Sequence, residues 1–453
     1  MKNFDGIFVL RKKQKQKLSK LWFLPALIIV FSLAFFCFGK IGADYILENV
    51  EPVSLFRDGK FLILFQNNAE IRSSGGFIGS FAVAEVQNFE LKNLEFNTNI
   101  QALDKSFTDK NYVDPQEPLK KFLAGKSWAL RDSNYDASFS DAAKDILYFY
   151  NAETGDNVDG IIALNAKVMV ELLKLSGPIN LTKYNVTITA ENFYDATQYQ
   201  IEKDYFQNPQ NWVINEPKTI LKDLYPEIIS RSLQNKIEFV KILQKELEQK
   251  EIIFYFNDPA KEQIAQNHNW AGDIPTAQEL KDKIQSTQAV DYLYINSNSY
   301  SGDKSSIKIN ENIDYKISRS TDGSNRLMAT LKITRIHTGT YLWPDGPNDT
   351  WLRIYVPQNS SLVSAKINEK NILAQDLTTG TEGDKTFFGY KVFTNPGQAN
   401  ILEFSYYLPS EMNNSSDYRL YVQKQPGVIG SKITVSYFDK VLYDGILNTD
   451  IKL

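Results

Sequence analysis

Hydrophobic positions change their spacing three times along this chain. Residues 21–39 (LWFLPALIIVFSLAFFCFG) form an apolar run without a charge, and about 20 such residues span a hydrocarbon core. The run predicts a transmembrane helix over 21–39, with Pro25 in its first turn, where a missing N–H costs little. A helical stalk is expected over 40–57. At residues 60–65 (KFLILF) the apolar positions are continuous, the pattern of a strand buried on both faces. Further strands are expected at 76–86 and 91–96. Helical spacing follows over 141–150, where Ala142, Ile146 and Phe149 share one side. A strand at 158–164 leads to a helix at 166–175, closed by Gly177-Pro178. An amphipathic helix over 229–250 and a strand at 252–256 complete the series. Strands alternating with helices predict an α/β domain over 58–300, a mixed sheet with flanking helices. From about Ser305 the period becomes two, in segments 307–317, 326–336, 351–356, 386–392, 401–407, 418–423 and 432–438. About seven short strands without helices predict an antiparallel, immunoglobulin-like β-sandwich over 301–453.

Charge gives the apolar run a direction. Residues 1–20 form a basic tail with Arg11, Lys12, Lys13, Lys15, Lys17 and Lys20, whereas only Lys40 and then acidic residues follow the run. The tail is therefore expected in the cytoplasm and the remainder outside the cell, on a single-pass chain whose partner over 21–39 is the lipid bilayer. A cleaved signal would have an apolar core of about 7–15 residues and a small-x-small site. Here the run ends in Phe35, Phe36 and Phe38. The sequence has 50 Lys+Arg and 54 Asp+Glu; residues 1–40 hold eight and one of these, leaving 42 and 53 beyond. An acidic remainder argues against nucleic acid as a partner. The single cysteine, Cys37, lies inside the apolar run, so no disulfide can form beyond it, a usage common in bacterial envelope proteins.

Only His268 and His337 occur, which disfavours histidine triads and zinc sites. Carboxylates are plentiful, but no spacing singles out a glycosidase pair. Arg131-Asp132 is the strongest polar candidate. A guanidinium can hold phosphate or carboxylate bidentately, and Asp132 could ligate Mg²⁺ with help from Asn134 and Asp136. The alternative is an internal ion pair of Arg131 with Glu70 or Asp132 that fixes the loops. Asn67, Asn68, Glu70 and Arg72 are expected after the first strand, where α/β sheets place ligands. Gly75, Gly76 and Gly79 suit either a close ligand approach or a tight turn. Tyr341, Trp343 and Trp351 could stack on sugars or fill a core.

Several segments together resemble a bacterial family, the domain of unknown function 4012. They are Gln66-Asn67-Asn68-Ala69-Glu70-Ile71-Arg72, Gly75–Ser80 (GGFIGS), residues 128–136 (WALRDSNYD) with Phe139, residues 158–164 (VDGIIAL) and residues 175–179 (LSGPI). The likeness runs from about Phe61 to His268, and more weakly through Lys304-Ser305 and residues 423–427 (QKQPG). The order of elements also resembles, distantly, the LytR–CpsA–Psr family. That resemblance implies an envelope enzyme transferring glycopolymers from polyprenyl pyrophosphate, with arginines on the pyrophosphate and an acidic residue on magnesium. Arg72 matches that family's Arg-x-Asp arginine, but Ser74 stands at the Asp position, and residues 97–101 contain no arginine. Arg231 with Gln234 is a partial match to its late arginine motif.

Two functions follow. One is a non-enzymatic envelope protein whose α/β domain binds a cell-wall or surface glycopolymer or its lipid-linked precursor. The other is a divergent glycopolymer phosphotransferase using Arg72, Arg131 and Asp132, with Mg²⁺ as its cofactor. The second requires those three side chains to meet in one cleft.

Overall fold

A computed structural model describes residues 54–413 and 418–453. The first sheet has the order β3-β2-β1-β4-β7. Its strands are β1 (Gly59–Arg72), β2 (Gly75–Gln87), β3 (Glu90–Asn97), β4 (Gly160–Asn165) and β7 (Ile252–Phe256), with a small hairpin of β5 (Ile179–Leu181) and β6 (Val186–Ile188) beside it. β1 runs parallel to β4 and antiparallel to β2, so the sheet is mixed. The continuous apolar run of β1 has a direct cause. Phe61 and Ile63 pack on one face of the sheet and Leu62 and Leu64 on the other, in two separate cores. Helices α1 (Ile100–Thr108) and α2 (Phe139–Thr154) lie on the second face. Helices α3 (Ala166–Ser176), α4 (Phe193–Tyr199), α5 (Thr219–Ser232) and α6 (Lys236–Glu248) cover the first.

Two larger sheets follow. One has six strands in the order β14-β15-β11-β8-β17-β20: β8 is Asp291–Ser299, β11 Asn348–Pro357, β14 Leu377–Glu382, β15 Lys385–Thr394, β17 Leu420–Gln423 and β20 Ile451–Lys452. The other has seven in the order β13-β12-β16-β10-β9-β18-β19: β9 is Ile309–Arg319, β10 Leu327–His337, β12 Ser361–Ile367, β13 Lys370–Asn371, β16 Ala399–Tyr407, β18 Ser431–Tyr437 and β19 Lys440–Leu447. Their facing sides share one core built on Leu331, Ile333, Leu352, Ile354 and Phe404.

These sheets correct the expected fold class. An antiparallel immunoglobulin-like sandwich does not describe them, because β17 pairs parallel with β8 and β18 parallel with β9. The described chain is α/β with several mixed sheets. Period two reports which face of a strand is buried and carries no information on strand direction. The expected transmembrane helix at 21–39 and most of the stalk lie outside the described residues, and among those described no helix is long and apolar enough to cross a membrane. The single helix expected over 229–250 is two. α5 ends at Ser232, and Asn235, whose side chain accepts from the Glu238 N–H, caps the start of α6.

The β sheets dock on the α/β sheet through buried polar contacts. Arg353 donates to Ser73 Oγ at 2.8 Å and to the Tyr135 carbonyl at 3.1 Å. Gln425 donates to the Arg72 and Ser297 carbonyls at 2.9 and 2.7 Å, and Lys424 to the Gln249 carbonyl at 2.6 Å.

Candidate functional site

β1 does not stop at residue 65 but continues through Arg72, so residues 66–72 are strand rather than a loop after one. Its pairing with β2 shifts between Phe65 and Gln66 and again between Asn67 and Ile71. The bulge explains the glycines. A β-carbon on Gly76 would lie 2.2 Å from the Asn67 carbonyl carbon, and Gly75 has φ +129° in the turn to β2. Glu70 and Arg72, two apart on one strand, project to the same side.

A cleft of about 560 Å³ opens there, between the α/β sheet and the segments 302–308 and 344–345. Asn67, Glu70, Arg72, Arg131 and Asp132 all line it. Arg72 is 2 % exposed; its Nη2 lies 2.8 Å from Glu70 Oε1 and 3.4 Å from Asp132 Oδ1. Arg131 Nε lies 3.4 Å from Asp132 Oδ2 and 3.3 Å from Asp104 Oδ2. Arg131 and Asp132 sit on a 3₁₀ turn, Leu130–Asp132, fastened by Trp128 Nε1 to the Asp132 carbonyl at 3.0 Å and by the Leu130 N–H to Glu153 at 2.9 Å. The three residues named for the transferase reading therefore meet.

Three other predicted residues do not join them. Asn68 does not line the cleft; it accepts from Tyr194 Oη at 2.8 Å and donates to the Gly427 carbonyl at 3.1 Å. Asn134 holds the β1–β2 turn by donating to the Gly76 carbonyl at 2.8 Å. Asp136 accepts from Gln116 at 3.2 Å outside the cleft. Trp351 is buried in the sheet, while Trp343 and Tyr341 are exposed. Arg231 pairs with Glu227 beside a separate depression.

Sequence reading missed Lys218 and did not assign Lys304 to the site. Lys304 Nζ reaches the second oxygen of Glu70 at 2.5 Å from the β-sheet side. Lys218, from the Glu216-Pro217-Lys218 turn before α5, donates to the Gly79 carbonyl. Both ammonium groups and the Arg72 guanidinium surround one ring, at 5.7, 5.9 and 5.1 Å from the Phe77 centroid respectively. Lys218 carries no motif and Lys304 only the weaker extension of the resemblance, so their meeting in space is what marks them. Phe65, Phe122, Phe193, Phe206 and Tyr225 supply apolar wall.

Burial opposes charge throughout the site. Burial alone would raise the Glu70 carboxyl, but Arg72 and Lys304 outweigh it and hold it below the usual carboxylate range. Desolvation pulls the Lys218 ammonium down to about 8, helped by Lys304 and opposed by Glu70 and Glu202. Beneath Arg131, burial and then Glu153 push the Asp104 carboxyl up to about 8.

The donors do not fit magnesium. Both oxygens of Asp132 face guanidinium groups, and both of Glu70 face Arg72 and Lys304. A hard cation needs carboxylate oxygens free to ligate it. Among the described residues no group of three or more His, Cys, Asp or Glu is placed to hold a metal. Asp132 is a counter-ion.

Fold and cleft together define an α/β protein with a cation-lined pocket where its sheet systems meet. Residues 58–201 match the family model described as "Protein of unknown function (DUF4012)". The match spans β1 to β4, the Arg131-Asp132 turn and α4. A search of curated proteins found no match. Among solved structures, a putative nutrient binding protein from Legionella pneumophila is similar at 9 % identity over 33 % of this chain and 55 % of that one, with a TM-score of 0.23. Legionella pneumophila aminopeptidase A gives 11 % identity over 28 % and 16 %, TM-score 0.18. Yeast LTA4 hydrolase gives 9 % over 30 % and 24 %, TM-score 0.18. The chain thus spans about half of the first and less of the others, and likeness this low carries no functional argument.

Proposed function

We propose that this is a membrane-held protein of the bacterial cell envelope. Its cleft would bind an anionic envelope polymer or the lipid-linked precursor of one, and the apolar stretch 21–39 would hold it at the bilayer with the rest outside the cell. The observation that carries this reading is the union of cations with aromatic wall in one cleft. Arg72, Lys126, Arg131, Lys218, Lys304 and Lys308 stand against Glu70, Asp132, Asp195, Glu202 and Asp345, an excess of one positive charge beside Phe65, Phe193 and Tyr225. Such a lining suits a ligand with a phosphate head and an apolar tail. The test is binding of a polyprenyl diphosphate glycan by the full-length chain in detergent. Saturable binding, competed by the diphosphate lipid and not by the neutral polyprenol, is expected; equal binding of both would overturn the reading.

The meeting of Arg72, Arg131 and Asp132 favours a second reading, a divergent glycopolymer phosphotransferase. Release of polyprenyl phosphate from the bound lipid on addition of an acceptor glycan would establish it. Binding without release leaves the first reading standing alone.

A further inference from the structure

We infer that Lys218 is the principal anion-binding residue of the cleft, receiving a phosphate-type oxyanion between itself, Arg72 and Lys304 and taking up a proton as the anion arrives. The inference rests on reading the cleft as an anion site and adds the residue, the ligand head and the proton.

Its basis is a difference among the three cations around Phe77. Arg72 is ion-paired to Glu70 and Asp132, and Lys304 to Glu70. Lys218 has no carboxylate in ion-pair contact among the described residues; its ammonium donates to a backbone carbonyl, that of Gly79. A β-carbon on Gly79 would come within 3.1 Å of Lys218 Nζ, so the glycine keeps room for it. All three cationic groups lie within 6 Å of the same ring centroid, and all three line the one cleft.

The charged groups around Lys218 come from every side. Glu70 and Arg72 stand on β1, Arg131 and Asp132 on the 3₁₀ turn, Glu202 after α4, and Lys304 on the β-sheet side. Glu70 and Asp132 are already committed to Arg72, Arg131 and Lys304, and Glu202 accepts from Trp343 Nε1 at 2.9 Å. Desolvation, with Lys304 and Arg131 nearby, draws the free Lys218 ammonium to about 8. An oxyanion in contact supplies the missing counter-charge and draws a proton from solvent onto the amine in alkaline solution.

Calorimetry of the full-length chain in detergent would test this, titrating inorganic phosphate and inorganic diphosphate at pH 7 and pH 9 in two buffers of different ionisation enthalpy. The wild-type chain should take up close to one proton per anion at pH 9 and far less at pH 7. K218M should bind about 10- to 100-fold more weakly at pH 7, the range for a hydrogen bond to a charged group, with no proton uptake at pH 9. K218R, charged at both pH values, should bind at pH 9 without uptake. Wild-type affinity and uptake in K218M would overturn the role of Lys218 and leave the anion site intact. No binding of either anion to the wild-type chain would overturn the anion site and this inference with it.

Discussion

Two buried arginines flank the same turn. Arg72 and Arg353 are 2 % and 4 % exposed, and both approach Ser73, Arg72 as its chain neighbour and Arg353 through a 2.8 Å bond to its hydroxyl. For each, burial would lower the guanidinium pKa and neighbouring charge outweighs it. Arg353 is enclosed, donating to Ser73 Oγ, the Tyr135 carbonyl, Asn296 Oδ1 and Glu382. Arg72 has the same kind of partners on one side and a cleft on the other. Burial and ion pairing mark both equally. Open space and unbalanced positive charge separate the binding candidate from the girder.

The largest expected effect breaks the enclosed arginine. Arg353→Ala leaves Glu382 without its guanidinium and strips donors from the interface between the sheets. Each buried acceptor left without its donor costs about 1–3 kcal/mol, and Arg353 serves several, so the melting temperature should fall by several degrees or more. An unchanged melting temperature would mean that the interface does not rest on Arg353.

The next effect is pH-dependent. The Asp104 carboxyl is raised to about 8 by burial and then by Glu153. A carboxyl raised in the folded state stabilises the fold fully below its unfolded value, and that stability is lost as pH rises through the folded value. Stability should therefore fall between about pH 4 and pH 8, by up to a few kcal/mol. Asp104→Asn should flatten the slope in denaturant titrations across that window. An unaltered slope would assign the effect to other groups, among them Glu246 and Glu262, which burial pushes up to about 7.

Arg131→Gln tests the open side directly. Arg131 is only half-buried, with Asp104 and Asp132 as its partners. Because those two carboxylates are buried, its loss should cost about 1–3 kcal/mol of stability and weaken diphosphate binding about tenfold. A large fall in stability with unchanged affinity would class Arg131 with Arg353 and reduce the site to Arg72, Lys218 and Lys304.

What the sequence made legible follows from this contrast. The KFLILF run, the α2 stripe of Ala142, Ile146 and Phe149, and the stop at Gly177 express local spacing, and spacing is readable in one dimension. Strand direction is not, which is why the parallel pair β9–β18 escaped notice; β8, parallel to β17, was not expected as a strand at all. Glu70, Arg72, Arg131 and Asp132 were visible as polar residues in unusual segments, and they share the cleft. Asn68, Asn134 and Asp136 had the same appearance, yet their side chains serve turns and packing. Lys218 and Lys304 could not be found this way, because a lysine turned into a cleft differs from a surface lysine only in what surrounds it.

The smallest effect concerns the rim, where the sheet systems meet over the cleft mouth. Trp343 is 41 % exposed, and its indole N–H bonds across to Glu202 at 2.9 Å. Lys203 lies 4.9 Å from the ring centroid and Tyr199 6.4 Å edge-on. All three partners come from α4 and the turn after it, on the α/β side, whereas Trp343 belongs to the loop between β10 and β11. An exposed cation–π contact contributes about 0.5–1 kcal/mol, so Trp343→Ala should lower stability by no more than about 1 kcal/mol. If the contact only fastens the rim, diphosphate affinity should stay unchanged while hydrogen exchange over residues 199–206 quickens. If affinity falls together with faster exchange, closure of the rim is part of binding. The cleft would then differ from the Arg353 interface in a second respect, being held by a contact weak enough to open.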